Sequence, residues 1–325
     1  MKNKTFRLLF ILLSIILTIS SSYVSGCTIF TISNDESTFF GNNEDWINPN
    51  TYMMIRPALS ANEYGGIFFG FDNFVFQGGI NSEGLSYDGN ALSPRALNFH
   101  PEKLIPLEWV PNIAMKYCSN ISQVISLIKK YDWRSMHREM KYQVHFADSN
   151  GDAIVVSPGL DGEIKITKKT SNESFLVSTN FNLDDEDSRY CWRYQTASTM
   201  LEAISDKELD INKIKDILAA VHQEGPTVNT VYSNIMDLKN KMIYLCHFYQ
   251  FGEIVSINVT EELNSGITQN KLLKDLFSNE TIINAEKHYL LYLNKNFLAE
   301  LFNFIVILTD ITSLFVLALN LMTII

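Results

Sequence analysis

Only four cysteines occur in the 325 residues, at 27, 118, 191 and 246, and no two form a CxxC pair. Nowhere do Cys and His fall at the close spacings of a structural zinc site, which argues against both a disulfide scaffold and a metal-held fold. The patterns HExxH, GxGxxG, GxSxG and the phosphate-binding P-loop are also missing, so no metal and no cofactor is expected. Basic charge is scarce: 26 Lys and Arg stand against 36 Asp and Glu, for a net charge of −10. No basic run exceeds a pair such as Lys168-Lys169. Nucleic acid is therefore not an expected partner, because phosphate binding needs clustered Lys and Arg. Internal repeats and low-complexity linkers are lacking as well. Ser126 to Lys129 matches the SxxK pattern of serine β-lactamases, but no SDN or KTG accompanies it, and it reads as one turn of an amphipathic helix.

What is present begins at the N-terminus. Lys2, Lys4 and Arg7 precede an apolar run from Leu8 to Ile19, and Val24-Ser25-Gly26 offers small residues for cleavage. This is the layout of an export signal over residues 1–26, with an apolar run too short to span a bilayer comfortably. The mature chain then starts at Cys27. The same residues resemble a lipobox, in which the cysteine sulfur carries lipid and its amine is blocked. A lipidated cysteine needs a flexible polar tether. Here Cys27-Thr28-Ile29-Phe30-Thr31-Ile32 has strand density up to a turn at Asn34 to Ser37, which favours a cysteine built into a sheet.

A hydrophobic content of 46% with 19% charged residues is an ordinary globular mixture with a sizeable core. Short strands are expected at Cys27–Ser33, Thr38–Gly41, Tyr52–Pro57, Ile67–Phe71 and Leu85–Tyr87, then helices over Ile105–Tyr117 and Ile121–Tyr131. A hairpin over Tyr142–Val156 should turn at Asn150-Gly151. Strands at Glu163–Thr167 and Ser174–Ser178 follow, then helices over Arg193–Ile204 and Ile211–Val221. A second hairpin joins Val228–Met236 to Met242–Tyr249. This order predicts an α+β fold with helices layered over antiparallel sheets, and the domain, 27–266, is expected to end near Asn264-Ser265-Gly266.

A cysteine at a mature N-terminus carries a thiol and an α-amine, hence a nucleophile with its base attached. The amine's ordinary pKa, about 7.7 to 8.0, leaves it partly free to take the thiol's proton near neutral pH. Asp45 lies on the segment expected beside Cys27, within reach of the amine. Asn81 and Asn180 carry side-chain amides, which are uncharged donors suited to an oxyanion; each alone also reads as a turn residue.

Cys27-Thr28 after a signal, Gly41 to Trp46, Gly79-Ile80-Asn81 to Gly84-Leu85, Thr179-Asn180, and Arg193 opening a helix together resemble the cysteine N-terminal nucleophile (Ntn) hydrolases. These are the choloylglycine (bile salt) hydrolases, penicillin V acylases and acid ceramidase relatives. The likeness runs from Cys27 to about Glu262. It implies a four-layer αββα sandwich and hydrolysis of linear, non-peptide amide bonds in a small N-acyl amide. It also assigns nucleophile and base to Cys27, the amine-side carboxylate to Asp45, the oxyanion hole to Asn81 and Asn180, and a polar support near the thiol to Arg193. Asn42 stands where many bile salt hydrolases carry Arg. Acyl transfer by the same site, and a tethered binding protein without catalysis, remain open alternatives.

Residues 267–325 form an expected helical tail. Its last part, Leu301 to Ile325, is 25 residues long and apolar enough to suggest a membrane anchor, though Asn303, Asp310 and Asn320 interrupt it. The expected location is therefore outside the cytoplasm, secreted or at the cell surface.

Overall fold

The computed structural model describes residues 26–135, 138–169, 173–185, 191–205, 208–225 and 228–294. The expected export signal over residues 1–26, save Gly26, and the apolar segment 301–325 lie outside these. Among the described residues no helix is long and apolar enough to cross a membrane.

Two antiparallel sheets form the centre. The six-stranded sheet has the order β10-β1-β2-β11-β12-β13, with β1 Thr28–Ser33, β2 Thr38–Trp46, β10 Phe175–Ser178, β11 Asn229–Asp237, β12 Met242–His247 and β13 Val255–Asn258. The eight-stranded sheet has the order β14-β3-β4-β5-β6-β7-β8-β9. It comprises β3 Tyr52–Arg56, β4 Gly66–Gly70, β5 Phe76–Asn81, β6 Ser86–Ala96, β7 Glu139–Ala147, β8 Ala153–Pro158, β9 Ile164–Lys168 and β14 Gln269–Leu272.

Side-chain alternation along each strand sorts the core into three clusters. On β1, Ile29 points between the sheets, where it packs with Phe40, Ile67 and Phe69. Phe30 and Ile32 point the other way, onto α3 (Trp192–Glu202) and α4 (Ile211–Val221). On the far side of the eight-stranded sheet, Tyr87, Val144 and Phe146 pack against α1 (Val110–Tyr117) and α2 (Ile121–Lys130). Helices, sheet, sheet and helices thus make four layers, and each fully buried Phe or Ile contributes about 1.5–3 kcal/mol.

Local signals place the elements. Asn120 caps α2 through its side chain, which accepts from the Gln123 amide, and Asp210 caps α4 by accepting from Lys213. The β7–β8 hairpin turns at Asn150-Gly151 as expected, with Gly151 at φ +91°. Its Asp148 carboxylate reaches across to accept from the amide of Ile121 at 2.8 Å, tying hairpin to helix.

Three expectations change. Helix α1 begins at Val110 with Pro111 in its first turn, not at Ile105. Strand β6 continues through Asp88-Gly89-Asn90, where sequence suggested a stop at Tyr87. The domain does not end at Gly266: β14 pairs with β3, Leu273 is fully buried, and Ala285 on a helix over 279–294 joins the inter-sheet core.

Candidate active site

Register between β1 and β2 sets the centre. Thr28 lies opposite Asn43, which brings Cys27 level with Glu44 and Gly26 level with Asp45. Cys27 is buried, and the Gly26–Cys27 peptide is held by donors from three directions. Arg193, in the first turn of α3, donates through Nη1 to the carbonyl of Gly26, to that of Cys27 at 3.0 Å and to Thr28 Oγ1 at 2.9 Å. Gln223 Nε2 donates to the Gly26 carbonyl at 2.9 Å. Asn90 Nδ2, from β6 of the opposite sheet, donates to the Cys27 carbonyl at 3.0 Å.

Asp45 completes this face. Thr230 Oγ1 donates to its Oδ1 and Gln223 Nε2 to its Oδ2, both at 2.5 Å, and Arg193 Nη1 lies 3.9 Å from Oδ2. Burial raises its pKa from 3.8 to about 6, against the opposing pull of Arg193, Thr230 and Gln223. Asn180 joins through Arg193, whose Nη2 donates to its Oδ1 at 3.0 Å, while Asn180 Nδ2 donates to the Ala91 carbonyl at 3.0 Å. A side chain on Gly26 would collide with the Asn180 amide, so the two are in direct contact.

Of the five residues expected at the site, Cys27, Asp45, Asn180 and Arg193 are therefore brought together. Asn81 is not. Both of its amide hydrogens are spent on the carbonyls of Met115 (3.0 Å) and Cys118 (2.9 Å), and its Oδ1 accepts from the amides of Glu83 and Leu85. It joins the β5–β6 turn to the end of α1, and no hydrogen remains for an oxyanion. The asparagine that touches Cys27 is Asn90.

On the inner side of the thiol lie two carboxyl groups. Glu44 lies level with Cys27 on the neighbouring strand, on the same face as Asn42. Asn42 Nδ2 donates to Asp88 Oδ2 at 2.7 Å. Gly78 makes room for this: a Cβ there would sit 2.2 Å from Asp88 Oδ2. Burial first, and then repulsion from neighbouring carboxylates, pushes the Glu44 pKa well up; burial does the same to Asp88. Burial, reinforced by Glu44, Asp45 and Asp88, likewise raises the Cys27 thiol, opposed by a hydrogen bond from the Asp45 amide. The thiol is therefore held in its protonated form.

Beside Asn90 an apolar cleft of about 390 Å³ opens, walled by Val75, Phe76, Trp109 and Tyr142. Among the described residues, no three or more His, Cys, Asp or Glu side chains are grouped to hold a metal ion. Cys118, Cys191 and Cys246 are free thiols.

The family model of acyl-coenzyme A:6-aminopenicillanic acid acyl-transferase matches residues 32–247, more than half of the chain. The chain belongs to this family. Its fold is shared by penicillin V acylase from Agrobacterium tumefaciens, with a TM-score of 0.59 at 14% identity, covering 75% of this chain and 90% of that one. A variant of conjugated bile acid hydrolase from Clostridium perfringens gives 0.59 at 16% identity, covering 76% and 97%. A second mutant form of that hydrolase gives 0.57 at 15% identity, covering 75% and 96%. The acyl-transferase family and these neighbours fall within the Ntn hydrolases of the choloylglycine hydrolase group. No curated protein matches the chain by sequence.

Sequence reasoning missed Gln223, Thr230, Asn90, Glu44 and Asp88. For Asn90 and Asp88 a signal existed: three residues of turn character, Asp-Gly-Asn, continue directly from Ser86-Tyr87 without any hydrophobic run resuming. Gln223 and Thr230 are ordinary in sequence, and only the pairing of β11 with β2, which sets Thr230 opposite Asp45, brings that pair into play.

Proposed function

We propose that this protein is an exported amidohydrolase of linear N-acyl amides, working through Cys27 as an N-terminal nucleophile. The supporting observation is the grip on the backbone around Cys27: Arg193 and Gln223 hold the Gly26 carbonyl and Arg193 and Asn90 that of Cys27, with Asp45 beside them. Once the Gly26–Cys27 bond is cut, the new α-amine lies level with these groups, and the negative Asp45 orients it and stabilises its protonated form.

The reaction then runs in two halves. The α-amine takes the thiol proton, Sγ attacks the acyl carbonyl, and the tetrahedral oxyanion forms. Asn90 and Asn180 are suited to receive it, since each amide nitrogen spends one hydrogen on a backbone carbonyl and keeps a second. The C–N bond breaks, the amine leaves with the proton, and a thioester remains on Cys27. Water adds to the thioester, the acid departs, and Sγ regains its proton.

Acyl transfer to an amine in place of water is favoured by one specific observation, the acyl-transferase family match. Adding a primary amine during turnover separates the two: a new amide product marks transfer, whereas free acid alone marks hydrolysis.

Intact mass and N-terminal sequencing of the mature protein, with thiol alkylation, test the reading. The expected result is a chain starting at Cys27, labelled once there by alkylation under native conditions, with amidase activity lost by roughly 10⁴-fold or more in Cys27→Ala. A diacylglycerol mass on Cys27, or activity surviving that substitution, overturns it.

A further inference from the structure

The inner wall beside Cys27 has a composition that the thioester chemistry does not require. Four cross-strand pairs line it: Glu44 with Tyr232, Asn42 with Asn234, Asp88 with His145, and Asn90 with Gln143. Paired residues share a face of their sheet, and all eight are at least 95% buried. A protein interior of this depth normally satisfies its polar atoms internally. Here Asn42 Oδ1, Glu44 Oε2, Asn90 Oδ1, Gln143 Oε1, the Tyr232 hydroxyl and both polar atoms of Asn234 have no hydrogen-bond partner in the protein. His145, held by Thr31 and Ser178, and Asp88, which accepts from Asn42 and from the Gly89 amide, are the exceptions. Most of the unpartnered atoms can only accept hydrogen bonds; one belongs to the carboxyl group of Glu44, and that of Asp88 stands near it. Arg193 is committed to Asp45, Asn180 and the Gly26–Cys27 backbone on the other face.

We infer that this wall is a recognition site for a cationic, donor-rich group on the amine side of the substrate, so that the preferred substrates are N-acyl amides whose leaving amine carries a second ammonium. A site rich in acceptors and acids calls for a partner that brings hydrogen-bond donors and positive charge. A metal ion fits less well, since no group of three or more ligating side chains is gathered among the described residues. An anionic amine such as a carboxylate- or sulfonate-bearing one would meet two acids. The direction follows from the contrast in polarity: the apolar cleft at Phe76, Trp109 and Tyr142, which opens at the Asn90 end of this wall, is suited to the acyl chain. A carbonyl carbon at Sγ then places its acyl group in the cleft and its amine against Glu44 and Asp88. Asn42 is the specificity residue behind this: its amide donates to Asp88 where a basic side chain would cancel the acids.

This inference rests on the amidase reading, and one substrate series separates their fates. The probes are the octanoyl amides of 1,3-diaminopropane, of propylamine and of β-alanine, which share length and differ in charge. The expected order of kcat/KM is cationic above neutral above anionic, with at least tenfold between the first two. Asp88→Asn, which leaves Glu44 beside Cys27 in place, is expected to bring the cationic-to-neutral ratio close to one, and Glu44→Gln to do the same. Each ratio is internal to one variant, so lowered expression or partial unfolding does not mimic the effect. Equal or reversed rates in the parent protein, with cleavage still dependent on Cys27, overturn the inference and leave the amidase standing. So does an unchanged ratio in Asp88→Asn. No cleavage of any probe, with parent and Cys27→Ala indistinguishable, removes the amidase reading and this inference together.

Discussion

Strand β2 carries four consecutive buried polar residues, Asn42 to Asp45, and its two faces treat them differently. Towards the α3–α4 layer, Asn43 donates to the Leu218 carbonyl and accepts from Ser233, while Asp45 accepts from Thr230 and Gln223. Towards the opposite sheet, Asn42 Oδ1 and Glu44 Oε2 have no partner. A satisfied polar network is rigid and fixes one geometry, whereas an unsatisfied one costs stability and persists where a ligand repays it. On the proposed reading the contrast separates two jobs on one strand: the outer face would aim Cys27, and the inner face would read what Cys27 attacks.

The sharpest way to probe that division is to compare two asparagines that look alike in sequence. Asn90→Ala is expected to lower kcat by roughly 100- to 1,000-fold with little change in stability, as for loss of an oxyanion donor. Asn81→Ala is expected to leave kcat within about threefold and to cost about 2–3 kcal/mol of stability through its four lost hydrogen bonds. Paired kinetics and urea denaturation check both, and the reverse assignment of effects would return Asn81 to the site.

Next in size is a pH effect on the satisfied face. Asp45 has its folded pKa raised to about 6 against 3.8 for an ordinary aspartate, so the folded state holds the proton more tightly than the unfolded one. Its contribution is full below about pH 4 and is lost as pH rises through about 6. In protein that retains Gly26, the stability difference between the parent and Asp45→Asn should therefore shift by about 2 kcal/mol against the parent between about pH 4 and about pH 6.5. A flat difference would show that Arg193, Thr230 and Gln223 fully compensate the burial.

The smallest expected effect lies on the unsatisfied face. Glu44 also has its pKa raised, by burial and by Asp88, so its ionisation opposes folding at high pH. Glu44→Gln should raise Tm at about pH 8 and change it little at about pH 5. Greater stability with poorer substrate selection is the behaviour of a recognition residue. A loss of stability at the higher pH would make Glu44 a structural group.

Much of this was legible in the chain. The alternation of Ile29, Phe30 and Ile32 predicts β1, the Asn150-Gly151 turn predicts the β7–β8 hairpin, and the density after Cys27 predicts a strand where a tether would be polar. Those features are local, because turn chemistry and side-chain period act over a few residues. Asp88-Gly89-Asn90 misled for the same reason: three turn formers in a row read as a break, yet pairing with His145, Val144 and Gln143 on β7 keeps them in a strand. Asn81 misled in the opposite sense, since nothing local shows that its hydrogens are claimed by the end of α1.

Sequence by itself determined the candidate nucleophile, the carboxylate beside it and the layered α+β plan, since each follows from residues near one another along the chain. Only the tertiary structure decided which asparagine meets Cys27 and that Gln223 and Thr230 hold Asp45. It also decided that two acids face the thiol with unpartnered acceptors around them. Those depend on the register between distant strands and on which polar atoms remain unpaired once the sheets close, and neither quantity is encoded at any single position.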